Sequence, residues 1–217
     1  MRSFGTPEFL FIFYALRWTL LLTAIAFAGG AIAGILLALL RISNSAMARS
    51  MALGFMQLIQ GLPLLILLFL CYYAPSLLGL EVSAMVAAAI ALTINSGAFL
   101  GAIWESALKA IPRAQWESAD ALALTPYKTL RHVIAPQAVK LALPSTVGFL
   151  VQIVKQTSLA SIIGFIEITR AGQLASNATF EPLKAFLVVA GFYFIVCFPL
   201  TQLSLWMEAR TGRGRGI

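Results

Sequence analysis

The chain has 217 residues, 60% of them hydrophobic and only 11% charged, which is too little polar surface to coat a water-soluble globule of this length. Fifteen Lys and Arg against eight Asp and Glu leave a net charge of +7. Their placement between apolar runs assigns that charge to a lipid surface and argues against a nucleic-acid partner.

Residues 1–17 read as an amphipathic lead-in on the outer surface, where Phe4, Phe9, Phe11, Phe13 and Tyr14 suit headgroup depth. Crossing about 30 Å of hydrocarbon at about 1.5 Å per residue takes about 20 residues. Five runs qualify: 18–40, 53–75, 83–105, 138–160 and 185–206. Barrel strands would alternate, whereas "WTLLLTAIAFAGGAIAGILLALL" is apolar on every side, so the expected fold is all-α. Ala26 to Ala28 fits a small-residue cleavage pattern, but Glu8 and "FLFIFYAL" are unlike the charged start of a signal peptide, and the first span is expected to remain.

Gly30 and Gly34 in the first span are small residues four apart that permit close helix approach, in packing inside the chain or in a dimer seam. Gln60, Gly61 and Pro63 mark a local break in the second span, and Asn95 and Ser96 lie midway through the third. Cys71 and Cys197 fall inside spans and read as packing residues. Residues 115–144 are the most polar stretch, and residues 106–136 divide into two short helices: "RAQWESADALAL" is rich in helix formers, Thr125-Pro126 opens the second, and Pro136 sets the next boundary. In the fourth span Pro144 and Gly148 precede Lys155, Gln156, Thr157 and Ser158, polar groups tolerated at depth where a helix lines a cavity. Lys155 suits a substrate carboxylate or snorkels to water; Thr157 and Ser158 suit an α-amino group. The mixed stretch 163–184 reads as a short outer helix and turn.

Arg41, Arg49, Lys109, Arg113, Lys128, Arg131, Lys140, Arg210, Arg213 and Arg215 fall on one side of these spans, and Arg2, Arg17, Arg170 and Lys184 on the other. The positive-inside rule then places the N-terminus outside and the C-terminus inside, with one transmembrane domain over 1–217. The single His132 has no second His with which to build a metal site or a nucleophile–base pair, and no phosphate-binding loop is present. A catalytic set and a metal site are therefore not expected, and any ATP would be bound by another chain. Five spans cannot form two equal halves, which favours a subunit that works as a pair.

The stretch "ESADALALTPYKTLRHVIAP" resembles the EAA loop of ABC-importer permeases, whose pattern is E-A-A, three residues, G, nine residues, then I-x-L-P. Glu117, Ala119 and Pro136 match in register and Val133 is a conservative match; Ser118, Ala123 and Ala135 stand where the family has Ala, Gly and Leu. Ala123 implies either a turn open to a side chain or a bend moved to Thr125-Pro126. The resemblance covers nearly the whole chain: "QGLPLL", "LTINSGAF" and "VKQTSLASIIG" are similar to the R-G-T-P-L-L, L-N-S-G-A-Y and K-D-T-S-L segments of the polar amino acid uptake branch, which includes opine permeases. Gln60 and Gln156 replace that branch's usual Arg and Asp.

What the resemblance implies is a multi-pass permease subunit of the bacterial inner membrane that binds no cofactor itself. Its partners would be two ATPase subunits holding ATP and Mg, a second permease subunit (the same chain or a sister chain), an external amino-acid-binding protein and the lipid bilayer. The expected ATPase-coupling residues are Glu117, Ala119, Leu122, Thr125, Pro126, Tyr127 and Arg131, with Ala119 allowing close approach. The expected substrate pathway takes in Gln60, Gly61, Pro63, Asn95, Ser96, Lys155, Gln156, Thr157 and Ser158. The competing reading is an ATP-independent channel or secondary transporter, in which residues 106–136 would be an interfacial helix.

Overall fold

The computed structural model describes residues 3–213, with side chains through Thr211; Arg2 and Arg215 lie outside the described residues, as does the Arg213 side chain. Among the described residues there are helices and no strands. Helix α1 spans Thr6–Arg41, with Pro7 in its first turn and the Gly5 N–H donating to Glu8 Oε2 at 2.9 Å. Nothing between Thr6 and Arg41 breaks a helix, so residues 6–17 are not a separate surface lead-in. They are the first turns of the helix that carries the first apolar run, and they bury Ile12 and Ala15.

The second span departs most from expectation. Helix α2 (Ala46–Gly61), capped by Ser45, and helix α3 (Leu64–Tyr73), continued by a 3-10 turn to Leu78, meet at 99° instead of forming one rod over 53–75. Leu62 is extended (φ −95°, ψ 135°) because the Pro63 ring excludes helical geometry from the residue before it. Helix α4 (Ala84–Lys109) follows the expected third span and runs one turn further.

Helix α1 lies along α4 on a seam of small residues. A Cβ placed on Gly30 would sit 2.4 Å from the Ser96 Cβ, one on Gly34 2.9 Å from the Gly101 nitrogen, and one on Gly97 2.8 Å from the Ala33 Cβ. The small residues therefore serve close contact within the chain.

Helix α5 (Arg113–Ala121) ends in a left-handed residue, Ala123 at φ 53°. Ala123 N–H donates to the Asp120 carbonyl at 2.9 Å and Leu124 N–H to that of Ala119 at 3.1 Å, the paired bonds of a Schellman cap. The turn thus keeps the conformation that favours glycine and tolerates alanine under strain. The reversal stays at Ala123 and has not moved to Thr125-Pro126.

The second of the two short helices expected in residues 106–136 does not end at Pro136. Helix α6 (Pro126–Lys128), a π turn over Thr129–Ile134 and helix α7 (Ala135–Gln156) form one helical run, prolonged by a 3-10 turn over Thr157–Ser161. Pro136 lacks an N–H and its ring crowds the carbonyl four residues back; the wider π turn beside it lets the chain continue. Helix α8 (Ile168–Thr179) is the expected short helix, and α9 (Pro182–Arg213) is the last span.

Buried side chains form three main layers. Leu22, Leu68, Leu92 and Ile153 are central; Ala38, Leu108, Ile134 and Ala138 pack at the end bearing α5, the knob end; Ile12, Ile168, Ala185 and Val189 pack at the far end. Outward residues stay apolar, with Ile32, Leu36, Leu187 and Ile195 exposed, as a hydrocarbon solvent requires. Among the described residues four helices are long and apolar enough to cross a membrane, and the number is five if the bent α2–α3 pair counts as one span.

Candidate functional site

At the knob end, α5 is anchored from beneath. Trp116, Leu130 and Val133 pack on the buried cluster of Ala107, Leu108, Ile111 and Ile134. Ala119 is buried (2% exposed), so its small side chain admits close approach of α5 to its own chain and is not offered to a partner. Glu117, Thr125 and Pro126 are exposed, and Leu122 and Tyr127 project apolar surface at 75% and 65% exposure. Arg131 is exposed too, but its Nη1 donates to the Tyr127 hydroxyl at 2.7 Å and braces that ring. The result is a stiff protrusion with an apolar tip and charged flanks.

A charge cluster fixes the base of the knob. Glu105 Oε1 accepts from Arg41 Nε at 2.8 Å and pairs with Lys109 one helical turn on. Arg41 Nη1 also donates to the Arg49 carbonyl at 2.9 Å, which ties the first turns of α2, through Arg41, to α4. The Glu105–Lys109 spacing is readable from sequence as an i,i+4 pair. Arg41, 64 residues away, carries no such signal.

The expected pathway residues divide into two groups. Gln60, exposed at the end of α2, donates its Nε2 to the Ala98 carbonyl on α4 at 3.0 Å, next to the break made by Gly61 and Pro63. Asn95 Nδ2 donates to Gln156 Oε1 at 3.3 Å, joining α4 to α7, and Lys155 beside it is exposed with no ion pair among the described residues. Ser158 Oγ donates to the Lys155 carbonyl at 2.7 Å. Ser96 and Thr157 are fully buried: Ser96 sits against Gly30, and Thr157 Oγ1 donates to the Val154 carbonyl at 2.8 Å. Neither is placed to meet a ligand, so the open polar surface here is Gln60, Gln156, Lys155 and Ser158.

Helix α7 carries further polar ties on the knob side of these residues. Thr146 Oγ1 accepts from Trp104 Nε1 at 2.9 Å, and the Ser204 hydroxyl of α9 donates to the Pro144 carbonyl at 2.8 Å. Pro144 leaves the Lys140 carbonyl without its helical donor, and neighbouring helices hold the segment instead.

At the far end the structure shows a network that sequence reasoning missed. Glu167, fully buried, caps α8: its Oε1 accepts from Arg170 N at 2.9 Å and its Oε2 from the Tyr193 hydroxyl of α9 at 2.8 Å. Thr19 Oγ1 of α1 accepts from Ile168 N at 3.2 Å. Burial pushes the Glu167 carboxyl up from its ordinary value, against the pull of these donors. Its sequence context, "FIEITR", offers only one acid before a short helix.

With this geometry in place, the known proteins that match are informative. The family model described as "Binding-protein-dependent transport system inner membrane component" matches residues 30–213. The "Probable amino-acid ABC transporter permease protein YckA" of Bacillus subtilis (strain 168) is 30% identical over 190 residues, covering 88% of this chain and 84% of that protein. The "Probable amino-acid ABC transporter permease protein PatM" of Vibrio harveyi is 32% identical over 187 residues, 84% of this chain and 83% of that protein. A crystal structure of an amino acid ABC transporter with histidines superposes with a TM-score of 0.86 at 30% identity, over 92% of this chain and 94% of that one. The inward-facing methionine ABC transporter MetNI, at 18% identity and a TM-score of 0.76, shares the fold. The chain belongs to the family of binding-protein-dependent transport system inner membrane components.

Proposed function

We propose that the chain is the permease subunit of an ATP-driven importer for polar amino acids or related zwitterions such as opines. In this reading it crosses a bacterial inner membrane five times, N-terminus outside and C-terminus inside. It pairs with a second permease subunit and receives cargo from an external binding protein. Two ATPase subunits, holding ATP and Mg, dock on the knob. The observation that carries the reading is the knob itself: Leu122 and Tyr127 are exposed on a segment whose base is packed and charge-tied to α1 and α4. Rigid elements transmit displacement where loops would absorb it. The amino-acid class is supported by what YckA and PatM are named for, and by exposed Lys155 beside the Asn95–Gln156 pair, a suitable contact for a substrate carboxylate.

The test is Leu122→Asp in the assembled transporter. Its charge should cut ATP-dependent amino-acid uptake at least about tenfold, because a desolvated interface contact is worth on the order of 2 kcal/mol or more. Membrane insertion should be unchanged and ATPase recovery reduced. Normal uptake and complex recovery refute the docking role, and uptake that persists without ATP selects the channel or secondary-transporter reading. For the pathway, Lys155→Ala should change the substrate-stimulated ATPase profile; an unchanged profile removes Lys155 from the cargo route.

A further inference from the structure

A cavity of about 750 Å³ opens at the knob end between the start of α7 and the last turns of α9. Its walls combine two chemistries. Among the described residues Lys140 and Arg210 are the charged residues of its lining, with no carboxylate beside them, and Gln137 adds an amide. Pro144, Trp206 and Met207 give it an apolar floor. The guanidinium carbon of Arg210 lies 3.8 Å from the centroid of the Trp206 ring, a cation–π contact that holds the charge at the cavity wall. Neither Lys140 nor Arg210 joins a salt bridge among the described residues.

The position of these residues along their helices narrows the occupant. Arg210 lies one turn beyond Trp206 near the end of α9, and Lys140 lies five residues into α7. Both cations therefore sit near the end of an apolar run, at the depth where tryptophan and basic side chains meet lipid headgroups. A free inorganic anion would satisfy the cations and leave the apolar floor unused. A zwitterionic headgroup would bring its own cation to a site that already has two. A headgroup with net negative charge matches both surfaces, its phosphate oxygens against Lys140 and Arg210 and its upper acyl methylenes against Trp206 and Met207.

We propose that this cavity binds one anionic phospholipid of the surrounding bilayer. The inference requires only that the long helices cross a membrane, so it stands or falls separately from the coupling and substrate assignments.

Native mass spectrometry of the full chain in its assembled transporter, titrated with phosphatidylglycerol or phosphatidylcholine of identical acyl chains, provides the test. The unaltered protein should hold phosphatidylglycerol more tightly. Each cation near the surface is worth about fivefold, so K140Q/R210Q should lose about 25-fold in phosphatidylglycerol affinity and keep that for phosphatidylcholine. The charge-conserving K140R/R210K should retain most of the preference, and thermal unfolding of each variant reports folding. Where the double variant does not fold, K140Q alone should lose about fivefold. Equal affinity for the two lipids overturns the proposal. So does unchanged phosphatidylglycerol binding in the folded charge-removing variants, or inorganic phosphate binding as tightly as the lipid.

Discussion

Glu105 at the knob end and Glu167 at the far end are both nearly removed from solvent, at 7% and 0% exposure, yet cations meet only the first. Glu105 is held by Arg41 and Lys109, whereas Glu167 is held by a backbone N–H and the Tyr193 hydroxyl. The difference bears on what each end tolerates. Deleting Glu105 strands Arg41, whose side chain is only 13% exposed. Deleting Glu167 removes the acceptor of neutral donors only, and one of them, the Tyr193 hydroxyl, keeps Thr169 Oγ1 at 3.0 Å, so the cost is smaller. Each end also closes a short helix on a left-handed residue that is not glycine, Ala123 after α5 and Phe180 after α8.

The largest effect should come from Glu105→Ala. A partner removed from a buried pair costs about 3 kcal/mol, read by thermal unfolding of the purified protein, and R41A/E105A should recover part of the loss. Equal losses in the single and double variants would show that packing and not charge dominates the knob end. Glu167→Ala should cost about 1.5 kcal/mol, chiefly through the lost cap of α8, because the Tyr193 hydroxyl keeps Thr169 Oγ1 as a partner at 3.0 Å. If it exceeds Glu105→Ala, the contrast between the ends is reversed.

The contrast also predicts a pH dependence. Because burial raises the Glu167 carboxyl in the folded state, the folded protein binds this proton more readily than the unfolded chain. Its contribution to stability is therefore fully present below the ordinary carboxylate range and is lost as pH rises through the raised value. Unfolding temperatures should show this slope in the unaltered protein and a flatter profile in Glu167→Gln. An identical slope in both would assign the titration elsewhere.

The smallest effects concern the two caps. Ala123→Gly and Phe180→Gly should each stabilise by about 1 kcal/mol by relieving a left-handed side chain. Phe180 is 73% exposed and forfeits little packing when truncated. A gain at one cap alone would show that the other is held by contacts beyond its backbone.

Much of the fold was legible because hydrocarbon burial writes itself into long apolar runs and because Gly30 and Gly34 leave room for a second helix. The break at Gly61 and Pro63 was legible as well, since the residue before proline leaves the helix; its right angle was not, because hydropathy has no direction. Phe4, Phe9 and Tyr14 suggested a separate surface segment, although no residue after Pro7 could stop α1. Pro136 suggested an end, and the π turn absorbed it. In the candidate site, Glu117, Leu122 and Tyr127 fall on exposed surface. Ala119, Ser96 and Thr157 are buried by neighbours that no local pattern specifies. Glu167 escaped notice because its donors come from 3 to 26 residues away.

The uninterrupted run from Pro126 to Ser161 has a geometric consequence. Its 36 residues measure about 54 Å at about 1.5 Å each. Pivoted at one end, a lever of that length turns an inclination of about 5° into about 5 Å of travel at the other. Tyr127 and Arg131 lie near one end and Lys155 and Gln156 near the other, so travel of that size at the far end would exceed the 3.3 Å length of the Asn95–Gln156 hydrogen bond.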